Sequence, residues 1–198
     1  MSQDRGWGEY YDKLRDRPPR KTLIAALDAF GDAPSDALAV DLGCGDGRDV
    51  VEVLRRGWSV VAVDAEPEAL KRLAERRLPG AERITPIVSR LEDVPLPIGV
   101  RLVNSSFALP LCEPERFHEL WARIGEALPA GGRFSGQWYG SRDSWMGRPG
   151  MTFLDRDVAL GLLEGFELEM FEEEEADGTT PRGKPKHWHI FHIVARKR

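Results

Sequence analysis

The sequence has few cysteines and no long apolar run. Its 198 residues include two cysteines, Cys44 and Cys112, which lie far apart without metal-ligand spacing. A disulfide framework is therefore not expected, and the composition is typical of a reducing cytoplasm. No apolar run reaches the roughly 18 residues of a membrane span, and the polar N-terminus lacks the apolar core of a signal peptide. The sequence predicts a soluble, cytoplasmic protein without membrane contact.

The chain also lacks a basic excess, internal repeats and low-complexity linkers. Its formal net charge is −5, so the composition does not favour nucleic acid as a partner. The length suits one domain. We predict a single domain over residues 36–198, preceded by an N-terminal helical lid or cap over residues 1–35. The sequence leaves open whether the protein is a monomer or a homodimer.

Short apolar runs alternate with amphipathic stretches. The patterns predict strands at 38–43, 58–64, 84–89, 100–107, 133–140, 167–175 and 187–197, and helices at 47–57, 66–78, 114–128 and 155–166. Alternating strands and helices indicate a parallel sheet, whereas the last two strands form an antiparallel pair. The predicted fold class is α/β: a doubly wound, Rossmann-like, seven-stranded, mostly parallel sheet with a C-terminal antiparallel β-hairpin and helices on both faces.

The stretch AVDLGCGDGRDV (39–50) places Gly43, Gly45 and Gly47 directly after the first strand. A glycine-rich turn there is the usual ligand site of an open α/β sheet, because glycine lets a ligand approach the backbone closely. The following helix N-terminus favours an anionic group. A dinucleotide fingerprint needs a third glycine where this chain has Arg48, and the P-loop pattern is absent. The loop therefore disfavours an NAD-dependent oxidoreductase.

The order acid, Leu, Gly, Cys, Gly, Asp, Gly resembles the first motif of class I S-adenosylmethionine-dependent methyltransferases. The second strand ends at Asp64, 21 residues after Gly43, where a carboxylate can accept both ribose hydroxyls. The stretches TFL, DG and KHWH near the end, and WGEYY…RPP near the start, are similar to small bacterial methyltransferases grouped with the tellurite-resistance enzymes. The resemblance covers nearly the whole chain and implies S-adenosylmethionine as cofactor and a small molecule as methyl acceptor.

The resemblance also implies the cofactor-binding residues, which come from the glycine loop, the ends of the second, third and fourth strands, and the N-terminal segment. They are Asp41, Gly43, Cys44, Gly45, Gly47, Asp64, Ala65, Arg90, Leu91, Glu92, Asn104, Ser105, Arg17 and Tyr11.

Several of these residues have specific expected contacts. In 89–97 the Leu91 N–H would bond an adenine ring nitrogen. Many family members have Asp where this chain has Arg90, so Ser89 or Glu92 would accept from the adenine amine. Asn104 and Ser105 would lie beneath the methionine part of the cofactor.

Other residues are expected to surround the methionine part and the methyl group of the cofactor. Phe107 would wall the methyl-transfer channel. Either Arg17 or Arg20 would pair with the methionine carboxylate. Trp7, Tyr10 and Tyr11 would close over the cofactor as a lid.

No catalytic residue stands out from the sequence. His187 and His189 share one face of the last strand and are weak candidates for a general base, while His192 points the other way. No third ligand accompanies them, so we expect no metal site. The lack of a confident base favours a soft or already ionised acceptor, such as a thiolate, a halide or a metalloid oxyanion.

The acceptor side is predicted in the segment after the fifth strand. Trp138, Tyr139, Trp145 and Met146 would form an apolar or cation-binding wall. Two other functions stay open. One is methyl transfer to protein or RNA, although the [DN]-P-P-[YF] tetrapeptide after strand four is absent. The other is binding of S-adenosylmethionine without catalysis.

Overall fold

A computed structural model describes residues 17–198 of the chain. Trp7, Tyr10 and Tyr11 of the predicted lid lie outside the described residues. The strands are β1 (Leu38–Leu42), β2 (Ser59–Asp64), β3 (Ile84–Val88), β4 (Leu102–Ser105), β5 (Arg133–Gly140), β6 (Phe153–Leu154), β7 (Phe166–Thr179) and β8 (Pro185–Lys197). The helices are α1 (Lys21–Phe30), α2 (Val50–Arg55), α3 (Pro67–Glu75), α4 (Pro114–Ala127) and α5 (Arg156–Leu162). Within this described part, no helix has the length and hydropathy needed to cross a membrane.

All strands belong to one sheet of order β3-β2-β1-β4-β5-β8-β7. The first five are parallel, and β8 runs antiparallel to both β5 and β7. The predicted α/β fold with a C-terminal hairpin is therefore confirmed. The two-residue strand β6, which pairs with the end of β5, is an addition. The strand order reverses between β1 and β4, and ligands of open α/β sheets bind at the carboxyl ends of strands beside such a reversal.

Helices cover both faces of the sheet because both faces of the central strands are apolar. On one face α4 buries Phe117, Leu120 and Ile124 against the sheet. On the other face α1 buries Leu23 and Leu27. The described helix of the predicted N-terminal cap, α1, is thus packed into the core like the other helices.

The helix after the glycine loop is shorter than predicted. The sequence predicts a helix from residue 47, but α2 begins at Val50 because residues 43–49 form turns. Gly47 has a φ of +87°, and a Cβ on it would lie 2.3 Å from Leu73 Cδ1. The third glycine of the motif is therefore required by backbone conformation and by contact with α3.

The Leu23 side chain is expected to contribute a large part of the attachment of α1. Leu23 is fully buried, so Leu23→Ala should lower the free energy of unfolding by about 2–5 kcal/mol, measured by urea denaturation. Val158→Ala, at a position that is 45% exposed on α5, is the control and should change it by less than about 0.5 kcal/mol. Equal effects of the two substitutions would contradict the packing of α1 on the sheet.

Candidate active site

The glycine loop is fastened to the end of β2 by backbone bonds and by Asp64. The N–H groups of Gly43 and Cys44 donate to the Val63 carbonyl at 2.8 and 2.9 Å. The Gly45 N–H donates to Asp64 Oδ2 at 2.8 Å, and the Glu66 N–H donates to Asp64 Oδ1 at 2.9 Å. The loop and Asp64 therefore form one unit.

The surroundings of this unit leave little room for side chains. A Cβ on Gly43, whose φ is +73°, would lie 2.2 Å from the Cβ of Ala108. Asp64 is 9% exposed, and burial raises the pKa of its carboxyl group. Each Asp64 oxygen keeps lone pairs for further donors, so the carboxylate can still accept a pair of hydroxyl groups.

Asn104, at the end of β4, joins two buried carboxylates. Its amide nitrogen donates to Asp41 Oδ1 at 2.8 Å and to Asp49 Oδ2 at 3.1 Å. Its amide oxygen accepts from the Ser135 hydroxyl at 2.8 Å. Ser106 Oγ donates to the same Asp49 oxygen at 2.5 Å. We call Asp41, Asp49 and Asn104 the carboxylate cluster.

One oxygen of this cluster lacks a donor. Among residues 17–198 nothing donates to the buried Asp41 Oδ2. Burial, followed by the charge of Asp49, raises the pKa of Asp41 from 3.8 to about 8. A cationic donor placed against Oδ2 would satisfy this oxygen and oppose both effects. The carboxylate cluster is therefore suited to an ammonium group.

The sequence analysis did not name Asp49 or Ser106 as site residues. It named Arg20 only as an alternative to Arg17. The Arg20 N–H donates to Asp49 Oδ1 at 3.0 Å, and the Arg20 guanidinium lies 4.4 Å from the Phe107 ring centroid. Arg17, the arginine in the predicted cofactor set, is exposed. The structure therefore places Arg20 beside the cluster. The sequence feature that could have identified Asp49 as a site residue is its position two residues after Gly47, at the end of the glycine loop.

The loop after β3, which would bracket an adenine, lies beside Asp64. The Ser89 N–H donates to the Asp64 carbonyl at 3.0 Å, and Leu91 is half-buried against the core. Arg90 is exposed and bonds Glu92 Oε2 at 3.3 Å, while Glu92 Oε1 accepts from the Glu113 N–H at 3.2 Å. Glu92 is engaged on both oxygens, and the Ser89 hydroxyl donates to the Arg90 carbonyl at 2.9 Å, so the structure does not separate these two candidate acceptors for an amine.

Three further predicted cofactor residues have the following surroundings. Cys44 is a free, buried thiol, and its burial raises the pKa of the thiol above the ordinary value. Cys44 is therefore a packing residue and not a nucleophile. Ser105 Oγ donates to the Leu42 carbonyl at 3.3 Å and accepts from the Leu109 N–H at 3.1 Å, which makes it a support of the strand end. Ala65 is exposed directly after Asp64.

The two histidines predicted as candidates for a general base lie away from the carboxylate cluster. His189 Nδ1 accepts from the Arg142 N–H at 3.0 Å, and its Nε2 lies 2.8 Å from Glu173 Oε1. The His187 ring nitrogens lie 2.7 Å from Asp177 and 3.3 Å from Glu175.

The structure does not bring this pair together with the predicted cofactor residues. The opposite face of β8 meets Phe107 through Trp188 and His192. Within the described part of the chain, no group of three or more His, Cys, Asp or Glu side chains has the geometry of a metal site.

The aromatic wall predicted after β5 surrounds a lysine of the chain itself. Lys186 Nζ lies 4.2 Å from the ring centroid of Trp145, 4.3 Å from that of Trp188 and 5.1 Å from that of Tyr139. It forms an ion pair with Asp143, and both side chains are fully buried. The cation-binding surface predicted there is thus already occupied by Lys186.

The other two residues of the predicted wall lie elsewhere. Trp138 points to the opposite face of β5 and packs 4.9 Å from Trp121. Met146 is 57% exposed.

Comparison with known proteins finds a match over the part of the chain that contains strands β1–β4. Residues 39–132 match the family model described as a methyltransferase domain. This range contains the glycine loop, Asp64 and the carboxylate cluster. Residues 39–132, about half of the chain, are therefore similar to the methyltransferase domain family.

One protein similar to this chain is an uncharacterized methyltransferase of Synechocystis sp. (strain ATCC 27184 / PCC 6803 / Kazusa). It is 31% identical over 120 residues, which are 57% of this chain and 55% of that protein. The match thus spans about half the length of the relative.

Similar structures extend the likeness to nearly the whole chain. TehB from Haemophilus influenzae has a TM-score of 0.77 and 16% identity, with 97% of this chain and 67% of TehB covered. The 1,6-didemethyltoxoflavin-N1-methyltransferase of Burkholderia thailandensis, bound to 1,6-didemethyltoxoflavin and S-adenosylhomocysteine, has a TM-score of 0.67 and 22% identity, with 97% and 84% covered. At these identities the likeness shows a shared fold, which is the fold that the predicted resemblance implies.

Asp41 is expected to make the protein less stable as the pH rises. The carboxyl ionises near its ordinary value in the unfolded chain but stays protonated up to about pH 8 in the folded protein. Its contribution to stability is therefore complete below about pH 4 and is lost as the pH rises to about 8. Asp41→Asn should gain stability relative to the wild type across this window, by at most about 1.4 kcal/mol per pH unit. Urea denaturation at about pH 5 and about pH 8 measures the difference.

Asp36→Asn provides the control, because it removes the same charge at an exposed position outside the cluster. It should leave the pH dependence as in the wild type. If Asp41→Asn also retained the wild-type pH dependence, the raised pKa of Asp41 would be refuted.

Proposed function

We propose that the protein is an S-adenosylmethionine-dependent methyltransferase with a small-molecule acceptor. The observation that carries the proposal is a pair of buried acids at the ends of adjacent parallel strands. Asp64 of β2 is tied to the glycine loop, and Asp41 of β1 has an oxygen without a donor among the described residues. A ribose diol and an α-ammonium group are the two parts of S-adenosylmethionine that such carboxylates recognise.

The other binding roles follow from position. The adenine would lie against the loop with Ser89 and the Leu91 N–H, next to Asp64. The glycine loop would pass closely under the sugar and the methionine chain, since Cβ atoms are absent there. Arg20 would pair with the methionine carboxylate, because its guanidinium lies beside the Asp49 end of the carboxylate cluster. A planar fork of donors suits a carboxylate.

The residues of this site position groups for an in-line displacement. The cofactor, when bound, supplies a methyl group already activated by a positive sulfur. Asp41 and Asp64 would fix the two ends of the cofactor, and that orientation accounts for much of the rate gain in such reactions. Phe107, directly after Ser106, would wall the side from which an acceptor approaches and keep water out.

The small size of the acceptor is supported by the molecule that one neighbour binds. The Burkholderia thailandensis enzyme, which has the same fold, holds 1,6-didemethyltoxoflavin, a small heterocycle. Both cysteines are free and buried, in keeping with a reducing, cytoplasmic location. We further propose that residues 36–198 form one methyltransferase domain.

Isothermal titration calorimetry with S-adenosylmethionine, S-adenosylhomocysteine and NAD tests the proposal. We expect S-adenosylmethionine and S-adenosylhomocysteine to bind and NAD not to bind. Asp64→Ala should weaken both by about 10- to 100-fold, because hydrogen bonds to a charged group contribute about 1.5–3 kcal/mol. Asp64→Asn, which can still accept from the Gly45 N–H, controls for loss of loop structure. Binding of NAD alone, or of none of these compounds, would refute the proposed function.

The two ends of the cofactor can be tested separately. 5′-Methylthioadenosine has the adenosine but not the amino-acid part. We expect Asp41→Asn to weaken S-adenosylhomocysteine by about tenfold or more and to leave 5′-methylthioadenosine unchanged, whereas Asp64→Ala weakens both. Equal losses for the two compounds in Asp41→Asn would contradict the role given to Asp41.

A further inference from the structure

His192 lies on the sheet face that carries the carboxylate cluster. In the strand ladders Asn104 is opposite Ser135, and Gln137 is opposite His192. Ser135 and Gln137 share a face because side chains alternate along β5. A row of polar side chains therefore crosses from β4 through β5 to β8.

The bonding of His192 leaves one ring nitrogen bare. Its Nε2 lies 2.7 Å from Glu174 Oε2 on β7. An ionised carboxylate only accepts, so Nε2 carries the hydrogen and Nδ1 of the neutral ring is an acceptor. No donor for Nδ1 occurs among the residues that the structure describes, although His192 is only 6% exposed.

A second acceptor without a donor lies on the neighbouring strand. Gln137 Nε2 donates to Thr22 Oγ1 at 2.8 Å, whereas Gln137 Oε1 has no partner within the described part of the chain. Leaving a buried acceptor unbonded costs about 1–3 kcal/mol. Two such acceptors at opposite positions of β5 and β8 indicate a binding place for a molecule that donates a hydrogen bond.

Phe107 connects this place to the carboxylate cluster. Its ring centroid lies 6.5 Å from that of His192, and its chain neighbour Ser106 bonds Asp49. Phe107 has a φ of +60°, and a strained backbone at a non-glycine residue is characteristic of binding and catalytic sites. Arg20, directly before α1, contacts the carboxylate cluster, and Thr22, in the first turn of α1, contacts Gln137. The Cα atoms of Arg20 and Thr22 are at most about 7 Å apart.

We propose, on the basis of the proposed function, that His192 is the general base of methyl transfer and that the acceptor is an uncharged molecule whose nucleophilic oxygen or nitrogen carries a hydrogen. The rings of Phe107, Tyr139 and Trp188, with centroids 6.1–6.5 Å apart, provide walls for a planar acceptor. This proposal differs from the soft or ionised acceptor expected from the sequence, an expectation that rested on the lack of a confident base.

In this step His192 Nδ1 takes the proton that the acceptor loses. The acceptor's oxygen or nitrogen lone pair forms the bond to the methyl carbon, and the electron pair of the broken sulfur–carbon bond stays on sulfur. Glu174 stabilises the imidazolium that results, which then releases its proton to water. Asp41 and Asp64 take no proton in this step.

The charged groups around His192 keep its ring neutral before the reaction. Burial lowers the pKa of His192, the bond to Glu174 opposes this, and Lys21 lowers the pKa further. Glu172 and Glu174 from β7 and Lys21 from α1 face the ring, and Arg20 lies across Phe107. The methyl-transfer rate should therefore fall at acid pH, as the ring becomes protonated.

Nitrogen NMR of histidine-labelled protein tests the assignment without turnover. The chain has four histidines, so His192→Asn identifies the His192 signals. With S-adenosylhomocysteine present, we expect a hydrogen on Nε2, a bare Nδ1, and a shift of the Nδ1 resonance on adding phenol. Anisole, which has the same ring without the hydroxyl hydrogen, should not cause this shift. A hydrogen on Nδ1, or equal responses to phenol and anisole, would overturn the proposal.

Transfer of labelled methyl from S-adenosylmethionine gives a kinetic test. The panel compares phenols and N–H heterocycles with iodide, tellurite and a thiolate. We expect transfer to the hydrogen-bearing acceptors, and a loss of about 100-fold or more in kcat with little change in KM for His192→Asn, whose amide still offers an acceptor near the position of Nδ1. His118→Ala, on an exposed face of α4, should retain wild-type rates. Transfer only to the soft acceptors, or a loss in His187→Ala but not in His192→Asn, would overturn the proposal.

Calorimetry with S-adenosylhomocysteine separates the two levels of inference. Binding by the wild type and by His192→Asn with similar affinity shows that the cofactor site is intact, so a negative NMR or kinetic result then counts against His192 alone. Absence of binding by the wild type would instead refute the methyltransferase proposal.

Discussion

The amide of Asn104 determines how the charged centre of the protein is arranged. It bonds Asp41 of β1, Asp49 of the loop before α2 and Ser135 of β5, all in the buried interior. Two carboxylates that share one amide nitrogen repel each other strongly where no water screens them. Burial, followed by that repulsion, raises the pKa of Asp41, and a ligand ammonium would oppose both effects. The carboxylate cluster therefore connects the packing of three elements to the charge of the ligand that the site favours.

Features encoded within a short segment were predictable, and features assembled across the sheet were not. The glycine spacing and the acid at Asp64 are local, so the sequence predicts both, together with the order of strands and helices. The hairpin strands β7 and β8 are longer than predicted because residues such as Asp177 and Gly178 give no apolar signal on an exposed strand. The short β6 is held by pairing with β5 and not by its own pattern.

The histidines show why a correct local pattern still leaves a site undetermined. Strand alternation predicts that His187 and His189 share one face and that His192 occupies the other, and their bonds to Glu173, Glu174 and Asp177 agree with this. Which face meets the carboxylate cluster depends on β8 lying next to β5. A single sequence carries no information on that neighbour, nor on Gln137 being opposite His192.

Lys186 decides what kind of acceptor the aromatic walls can receive. Its ammonium, paired with Asp143, already lies against Tyr139, Trp145 and Trp188. These rings are thus already engaged by a buried positive charge, and a second cation beside them would be repelled. A neutral, planar acceptor meets no such repulsion, and its hydrogen is what the bare Nδ1 of His192 lacks. The same lysine that removes the cation site predicted from the sequence therefore favours the acceptor class that His192 requires.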